Sequence, residues 1–446
     1  MSNSSVLTYI DLFCGIGGFH QALNKLGAKC ILACDIDKNC REVYLDNYGI
    51  NPIEDIKTIN PELLPDFDIL TAGFPCQAFS NGGKKKCFED SRGLLFDEVI
   101  RIAKVKKPKF MFLENVKHIL KVSDGEVIKY IKEQIASIGY ELTLFQLSPH
   151  NYGVPQQRER VYFVCVYKGA QIAPLNPTGA QIAPLNPTGA QIAPLNPTGA
   201  QIAPLNPTGA FCTPLNPTGA QIAPLNPIIL NPTIDPNTID FNKFINNENV
   251  SSKYYIKSSI LKTLEAWDEV IKQMEVGEKL SPTIMINDAF VEYSEEQMKS
   301  FPEWKRDYII KNRPLIAKYK EILEPWYNKH KILLKEREIF GKLEWQTGPV
   351  TKDESIFNHF IQVRQSGIRV KKCKYFPTLV AISQIPIYGR EKRYITPREC
   401  ARLQSFPEDF KLASDDKISY KQLGNSVNVE NVYNVISSTL KHYGLI

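Results

Sequence analysis

Four short segments of the sequence place nucleotide-binding or reactive residue types just beyond apolar runs. The first is a glycine-rich turn at residues 11–19 (DLFCGIGGF), which would let a nucleoside-bearing ligand approach the backbone. Asp35 follows Gly15 by 20 residues, a spacing at which an acidic side chain commonly accepts ribose hydroxyls. Because His20 stands where a dinucleotide-binding turn has its third glycine, a mononucleoside ligand is favoured. A purely structural tight turn is the alternative.

The second segment, residues 73–80 (GFPCQAFS), carries a cysteine on a loop that proline constrains. Cys76 comes just after an apolar strand, at the edge where open α/β sheets bind their ligands. A nucleophilic cysteine needs exposure and a stabilised thiolate, and the polar neighbours of Cys76 suit both needs. Cys76 is therefore a candidate nucleophile, and a packed core thiol is the alternative.

Two further segments, 114–116 and 156–160, supply a carboxylic acid and a set of hydrogen-bond donors. Glu114 ends an apolar strand, where burial should raise the pKa of its carboxyl and suit it to protonating a ring nitrogen near neutral pH. Gln156, Arg158 and Arg160 alternate along the chain, so they share one face and could hold a phosphate or a base carbonyl. The alternatives are a solvated cap for Glu114 and an edge-strand charge ladder for 156–160.

The elements that must position these residues alternate between strands and helices over residues 1–168. Six apolar runs predict strands, at 6–13, 30–35, 67–72, 109–114, 141–147 and 161–167. Helices are predicted at 19–26, along the apolar face formed by 127, 128, 131, 135 and 138, and at 429–442. This alternation predicts an α/β fold with a Rossmann-like, mostly parallel sheet.

A decapeptide, GAQIAPLNPT with small variations, is repeated six times over residues 169–228. Its prolines and Asn-Pro-Thr-Gly turns predict an extended linker, with a stacked solenoid as the alternative. We therefore predict a catalytic and cofactor-binding domain at 1–168 completed by 411–446, a linker at 169–228, and a target-recognition domain at 229–410. The last region is expected to mix helices with irregular segments.

Composition sets the outer bounds on function. The 446 residues are 43% hydrophobic and 23% charged, as in globular proteins, and the net charge of +6 permits a polyanionic partner without requiring one. There is no apolar run of about 18 residues and no secretory leader pattern, so we expect a cytoplasmic protein without membrane contact. Ten cysteines without CxxC or Cys/His spacing predict free thiols and no metal site.

Seven ordered motifs make the chain resemble the C5-cytosine DNA methyltransferases of bacterial restriction and modification systems. They are DLFCGIGGF, GFPCQAFS, DSRGLLF at 90–96, ENV at 114–116, QQRER at 156–160, RYITPRECARLQSFP at 393–407 and QLGNSVNV at 422–429. The resemblance covers residues 6–168 and about 357–441, and it excludes the decapeptide array. It implies the S-adenosylmethionine-dependent methyltransferase fold with a smaller target-recognition domain.

The resemblance implies an enzyme that moves a methyl group from S-adenosylmethionine to C5 of a cytosine flipped out of a specific DNA duplex. Cys76 would attack C6 of that cytosine, and Glu114 would protonate or hydrogen-bond its N3. Arg160, with Arg158 beside it, would hold the base near its O2 carbonyl.

The resemblance also implies the cofactor contacts. Phe13 would stack on the adenine, Asp35 would bind the ribose, and Asp55 with Ile56 would contact the adenine edge. Ile36 stands where the family often has an aromatic residue, so one face of the adenine would have aliphatic packing. The remaining predicted contacts are Gly15, Ile16, Gly17, Gly18, Pro75, Leu95, Asn425 and Ser426.

DNA contacts are predicted in two places. The loop 75–95, with its glycines and lysines, would close over the flipped base, unless it is a solvated charge run. The basic stretch 361–374 contains no acid and has Arg and Gln side chains that suit base edges, and Thr378-Leu379 resembles the family's Thr-Leu element. The predicted contacts are Gln77, Ser80, Lys84, Arg92, Gln156, Arg364, Gln365, Arg369, Lys371, Lys372 and Thr378.

Three other functions are alternatives. An RNA (tRNA) cytosine-5 methyltransferase would carry a Cys-Phe-Thr element, which this sequence lacks. A nicotinamide-dependent oxidoreductase would need the third glycine, and a catalytically silent DNA-binding regulator would not need Cys76, Glu114 and Arg160. We expect double-stranded DNA and a restriction endonuclease as partners, and a chain that acts as a monomer.

Overall fold

A computed structural model describes residues 6–75, 94–170, 172, 228–231, 233–235, 238–246, 250–280, 283–379 and 384–446. Nearly all of the decapeptide array lies outside these described residues. So do some of the predicted site residues, namely Cys76, Gln77, Ser80, Lys84 and Arg92.

The first sheet consists of the six strands that the apolar runs predict. In chain order these strands are Thr8–Leu12 (β1), Lys29–Cys34 (β2), Ile69–Ala72 (β3), Phe110–Val116 (β4), Tyr140–Leu147 (β5) and Arg160–Tyr167 (β6). Their order across the sheet is β2-β1-β3-β4-β6-β5. Strands β1 to β4 are parallel, and β6 is antiparallel to both β4 and β5. The predicted mostly parallel sheet is confirmed, and the carboxyl ends of β1 to β4 meet at one edge.

A second sheet lies in the region after the array. Its strands are Ile284–Met285 (β7), Lys342–Gln346 (β8), Phe360–Arg364 (β9), Gly367–Lys371 (β10), Ile387–Tyr388 (β11) and Arg393–Tyr394 (β12). Their order is β12-β11-β9-β10-β8-β7. The prediction of helices and irregular segments missed this sheet, because β7, β11 and β12 are two residues long and β8, β9 and β10 only five.

The described residues form α-helices in both halves of the chain. In order they are Gly18–Asn24 (α1), Lys38–Tyr48 (α2), Leu94–Lys106 (α3), Glu126–Ser137 (α4), Ser258–Ile271 (α5), Ile286–Ala289 (α6), Glu295–Ser300 (α7), Glu303–Lys318 (α8), Lys320–Glu336 (α9), Pro397–Leu403 (α10), Asp416–Asn425 (α11) and Val429–His442 (α12). The predicted helix at 429–442 is confirmed to the residue. The predicted apolar face of α4 is buried at Val127, Ile131 and Ile135.

Helices cover both faces of the first sheet. Alternate residues of β4 enter two separate cores, because side chains alternate across a strand. Phe110 and Phe112 pack in the core that contains residues of α1 and α12. Met111 and Leu113 pack in the core that contains residues of α3 and α4. The doubly covered sheet explains why its strands are continuous apolar runs.

One core extends across the domain boundary predicted at residue 410. Ile395, Cys400 and Phe410 are buried in the same core as α1 and α12 of the first sheet. The same core also contains Phe360, Phe376 and Tyr388, so it does not divide the chain at one residue, and the bounds 229–410 stay a prediction. Arg393 joins β12 to α10, since its guanidinium makes a buried ion pair with Glu399 at 2.8 Å.

The two ends of the decapeptide array attach to one core. Ile172 packs against the core of α1 and α12, and Ile228 is buried in it. Asn231 then donates to the side-chain oxygen of Asn434 in α12 at 2.7 Å. Both ends of the array therefore lie against the core of α1 and α12.

Candidate active site

The glycine-rich turn connects β1 to α1 through three left-handed backbone conformations. The φ angles are 52° at Phe13, 54° at Gly15 and 87° at Gly17. A Cβ on Gly17 would lie 2.3 Å from Cε2 of Tyr48, so glycine is required there. The Tyr48 hydroxyl donates to the carbonyl oxygens of Ile16 and Gly17 at 3.2 and 3.1 Å. Tyr48 thus supports the turn, and the space around Gly15 is open.

Asp35, at the end of β2, closes the turn. Its Oδ2 accepts from the Gly15 N–H at 2.7 Å, and its Oδ1 accepts from the Asp37 N–H at 2.8 Å. Burial raises the pKa of this carboxyl, and the two main-chain donors act in the opposite direction. Asp35 therefore joins the ends of two adjacent strands, and each oxygen keeps a second lone pair for a ribose hydroxyl.

Arg41 in α2 fixes the backbone that follows Asp35. Its Nη1 donates to the carbonyl oxygens of Asp35 and Ile36 at 3.0 and 2.9 Å, and its Nη2 pairs with Glu54 at 2.9 Å. The Ile36 side chain is 68% exposed. An apolar surface is therefore open beside Asp35, the predicted ribose ligand, as the predicted aliphatic packing of the adenine requires.

The remaining predicted cofactor residues border the same edge. A parallel bridge between Cys34 and Ile53 brings the following residues beside the end of β2, where Ile56 is buried and the Asp55 carboxylate accepts from the Lys57 N–H at 3.0 Å. The segment before α12 lies against the glycine turn, because a Cβ on Gly18 would be 2.6 Å from Cγ2 of Val427.

Around this edge, exposure differs among the predicted contacts. Asn425 is exposed and Ser426 is buried, while Pro75 and Leu95 are half-buried. An open glycine turn, a ribose acceptor and an apolar flank together fit a nucleoside ligand, which is the fit that the sequence predicts.

Glu114 lies next to this edge, near the end of β4. Its side chain is 10% exposed, and its Oε1 is 3.0 Å from Nε of Arg160. Burial raises the pKa of the Glu114 carboxyl, while the positive charges of Arg160 and Arg158 oppose that rise. The predicted direction of the shift is therefore confirmed. Its Oε2 is 4.0 Å from where a Cβ on Gly73 would be, so the carboxyl lies beside the start of the loop that leads to Cys76.

Asn115 connects β4 to that loop. Its Nδ2 donates to the carbonyl oxygen of Phe74 at 2.9 Å, and its Oδ1 accepts from the Val116 N–H at 2.8 Å. The strand that carries Glu114 thus also fixes the backbone two residues before Cys76. The sequence analysis assigned no individual role to Asn115, Tyr48 or Arg41, because each acts on backbone atoms and such contacts cannot be seen in a motif.

Arg158 does not fit its predicted role as a donor to the substrate. The residue is 2% exposed. Its Nη1 donates to the Leu379 carbonyl at 2.7 Å, and its Nη2 donates to those of Gly424 and Ser426 at 2.9 and 2.8 Å. Arg158 is a positioning residue that joins three chain segments, because its terminal nitrogens are already occupied by main-chain oxygens.

The predicted DNA contacts separate into buried and accessible groups. Gln156 is fully buried, which does not fit a direct DNA contact, and its side-chain amide has no hydrogen-bond partner among the described residues. The Thr378 hydroxyl donates to the Gln157 carbonyl at 2.5 Å and so links the segment after β10 to the segment before β6. The others lie on or beside the β9–β10 hairpin, where Gln365 and Lys372 are exposed and Arg364, Arg369 and Lys371 are half-buried.

The profile of one protein family, described as C-5 cytosine-specific DNA methylase, matches residues 7–210 and 224–441. The chain belongs to this family. Membership agrees with the order of the seven motifs and with the α/β fold observed here.

Relatives in this family cover the chain to different extents. Type II methyltransferase M.HhaI of Haemophilus parahaemolyticus is 46% identical over 159 residues, which are 36% of this chain and 49% of that protein. The match thus spans about half the length of that relative. Type II methyltransferase M.BanI of Aneurinibacillus aneurinilyticus is 28% identical over 481 aligned residues, 98% of this chain and 96% of that protein. The crystal structure of S. pombe Dnmt2 methyltransferase aligns with 98% of each chain at 18% identity and a TM-score of 0.48.

Two features are absent from the described residues. None of their helices has the length and apolar character to cross a membrane. Within the same part of the chain, His, Cys, Asp and Glu side chains do not gather into a group that could bind a metal ion. The cysteines described there are free, and most of them are buried.

Proposed function

We propose that this chain is a DNA (cytosine-5)-methyltransferase that modifies a flipped-out cytosine within a short duplex sequence. The observation that carries the proposal is the buried Glu114–Arg160 pair beside the Gly73–Pro75 loop, next to an edge that fits a nucleoside. Membership of the C-5 cytosine-specific DNA methylase family supports the same reaction.

The first chemical step belongs to Cys76, which lies outside the described residues. Its thiolate adds to C6 of the cytosine, and the electron pair of the C5–C6 bond moves toward C5. That carbon, unreactive in the aromatic base, becomes a nucleophile. After C5 has gained a methyl group, loss of the C5 proton and breakage of the sulfur–C6 bond restore the ring and release Cys76.

Glu114 and Arg160 assist the addition. The raised pKa of Glu114 keeps a proton available for N3, so negative charge from the attacking thiolate does not accumulate on the ring. Arg160 lies 3.0 Å from Glu114 and can donate to the O2 carbonyl of the same base. Glu114 and Arg160 would thus contact neighbouring polar groups of the cytosine, N3 and the O2 carbonyl.

The cofactor site would hold S-adenosylmethionine, which supplies an electrophilic methyl group when bound. Asp35 would accept the ribose hydroxyls, and the open turn at Gly15 admits the ligand to the backbone. Phe13, Ile36 and Ile56 would pack on the adenine. These roles are part of the proposal.

Labelled methyl transfer tests the function. Purified chain is incubated with S-adenosylmethionine carrying a labelled methyl group and with mixed-sequence duplex DNA, single-stranded DNA or tRNA. We expect label in duplex DNA, recovered as 5-methylcytosine after hydrolysis. Label in tRNA would support the RNA methyltransferase alternative, and no transfer to any substrate would support a silent regulator.

The biological setting belongs to the proposal as well. The relatives are named as type II methyltransferases, which supports protection of DNA from a partner restriction endonuclease. We also propose that the chain acts as a monomer in the cytoplasm. Light scattering of the chain with and without its duplex would test the monomeric state.

Shortening the decapeptide array should have little effect on this activity. Because both ends of the array lie against one core, deleting five of the six units is expected to leave the rate and the methylated sequence unchanged. Closure of the shorter loop would alter stability by roughly 1.6 kcal/mol at most. Methyl-transfer kinetics and sequencing of methylated DNA would check this, and a loss of rate above tenfold would show that the array contacts the body or the DNA.

A further inference from the structure

The second sheet has one apolar face, and its other face is polar along part of β8, β9 and β10 but apolar at Phe360 and Tyr388, which are buried in the core of α1 and α12. Ile361, Ile368 and Leu343 enter the core that contains residues of α5, α8 and α9. The polar residues alternate with them on β8, β10 and β9. Strand register places Arg369 beside Glu344 on one side and beside Gln362 on the other. We call the row formed by Glu344, Arg369, Gln362 and Arg364 the polar face.

The polar face adjoins the candidate active site. Lys371, which follows Arg369 on the same face of β10, donates to Oε1 of Gln157 at 2.6 Å. Gln157 is the residue before Arg158, and Arg158 in turn donates to the carbonyl oxygen of Leu379, in the segment after β10. A duplex whose cytosine enters the site would therefore pass along these strands.

Glu344 holds Arg369 in one orientation. Glu344 Oε2 accepts from Nε of Arg369 at 2.8 Å, and its Oε1 accepts from the Gln346 amide. Both carboxylate oxygens are thus occupied. The hydrogen bonds of Arg369 to described residues involve Nε, which leaves Nη1 and Nη2 to donate outward. Its side chain is 28% exposed, so a ligand can reach it.

Arg364 is less suited to bind a ligand. Its Nε donates to Oε1 of Gln384 at 3.2 Å, and its Nη1 is buried 3.9 Å from Glu344. A guanidinium with two free parallel donors, oriented by a carboxylate, matches O6 and N7 of guanine in the major groove. A phosphate would not require this oriented fork, because lysine serves as well there.

We propose that Arg369, oriented by Glu344, reads one guanine of the target sequence through its major-groove edge. This inference rests on the proposed function. Arg369 is the specificity-determining residue, and Glu344 is a positioning residue that acts through it. The target of this chain accordingly contains a guanine next to the flipped cytosine or within a few base pairs of it.

The test compares base preferences at every position of a randomised duplex library. The wild-type chain, Arg369→Lys, Glu344→Gln and Lys372→Gln each methylate the library, and kcat/KM is then measured on single-base variants of the preferred site. Arg369→Lys keeps the positive charge but removes the two parallel N–H donors of the guanidinium. We expect it to reduce the preference for guanine at one position about 5- to 150-fold and to leave the other positions unchanged.

The other two variants distinguish a loss of base preference from a general loss of rate. Glu344→Gln should weaken the same preference at the same position, and Lys372→Gln, a change at an exposed lysine, should lower the rate equally for all sequences. Replacing the guanine by 7-deazaguanine should reduce wild-type kcat/KM and have little effect on Arg369→Lys. Thermal unfolding of each variant monitors folding, and Glu344→Gln tests the inference should Arg369→Lys fail to fold.

Two outcomes separate this inference from the proposed function. If the wild-type chain methylates no duplex, the proposed function itself is wrong. The second outcome is that the wild-type chain methylates DNA, while Arg369→Lys and Glu344→Gln either keep its base preference or lower kcat/KM equally for all sequences. In that case Arg369 does not read guanine.

Discussion

Replacing Glu114 by Gln is expected to lower kcat for methyl transfer by about 10²- to 10⁴-fold, the range of a positioned general acid. The change keeps the size and a hydrogen-bonding amide, but it removes the proton that N3 of the cytosine receives. Since Arg160 lies 3.0 Å from the carboxyl, the variant also leaves that cation without its buried counter-charge. Single-turnover methylation of one defined duplex measures the effect on chemistry.

The dependence of the methylation rate on pH provides a second test of Glu114. Burial raises the pKa of Glu114, and the proton-donating form of a carboxyl is the protonated one. The Glu114 contribution is therefore largest below that raised pKa and is lost as the pH rises through it. The wild-type rate should show this decline, and the rate of Glu114→Gln should not.

Glu159→Gln is the matched control for Glu114. Glu159 is an exposed carboxylate that pairs with Lys117 at 3.0 Å, and an exposed pair contributes about 0–1 kcal/mol. Its substitution should change kcat less than threefold and leave the pH profile intact. Equal losses in both variants would mean that Glu114 has no special role.

Replacing Arg158 by Met is expected to reduce the free energy of unfolding by roughly 3 kcal/mol, because three buried carbonyl oxygens lose their donors. Burial lowers the pKa of the Arg158 guanidinium to about 9, so the group is still cationic near neutral pH. Two of its acceptors, Gly424 and Ser426, flank the predicted cofactor contact Asn425. The variant should therefore also bind S-adenosylmethionine more weakly. Urea unfolding and isothermal titration measure the two effects.

Arg398→Met provides the comparison for Arg158. Arg398 also donates to main-chain carbonyls, those of Pro407 and Phe410 at 3.3 and 2.7 Å, but it is partly exposed and its contacts lie within one segment. Its loss should cost less stability and should not change cofactor binding. If Arg158→Met bound cofactor as tightly as wild type, the link between Arg158 and that site would be contradicted.

The first sheet could be predicted from the sequence because its strands are buried on both faces. Strands such as Phe110–Val116 are then continuous apolar runs, and their carboxyl ends necessarily meet at one edge. The positions of Asp35 and Glu114 follow from the same rule, and so does the direction of the Glu114 pKa shift.

The second sheet and the role of Arg158 could not be predicted, for two physical reasons. Strands β8 and β10 are short and half-buried, and the charged residues of β10 belong to the basic stretch 361–374, which was interpreted as a DNA-contacting segment and not as part of a sheet. Arg158 and Arg160 have the same side chain two residues apart, but tertiary contacts direct one toward Leu379 and Gly424 and the other toward Glu114. Spacing along a strand does not distinguish these environments.

The measurement that tests the account most directly is covalent trapping on DNA. A duplex that contains the preferred site with 5-fluorocytosine at the target is incubated with the chain and S-adenosylmethionine. Fluorine cannot leave C5 as a proton does, so the sulfur–C6 bond should persist, and peptide mapping should find the DNA on Cys76. Cys76→Ala should form no adduct while still binding the duplex. A wild-type chain that methylates the ordinary duplex without forming this adduct, or an adduct on another residue, would contradict the account.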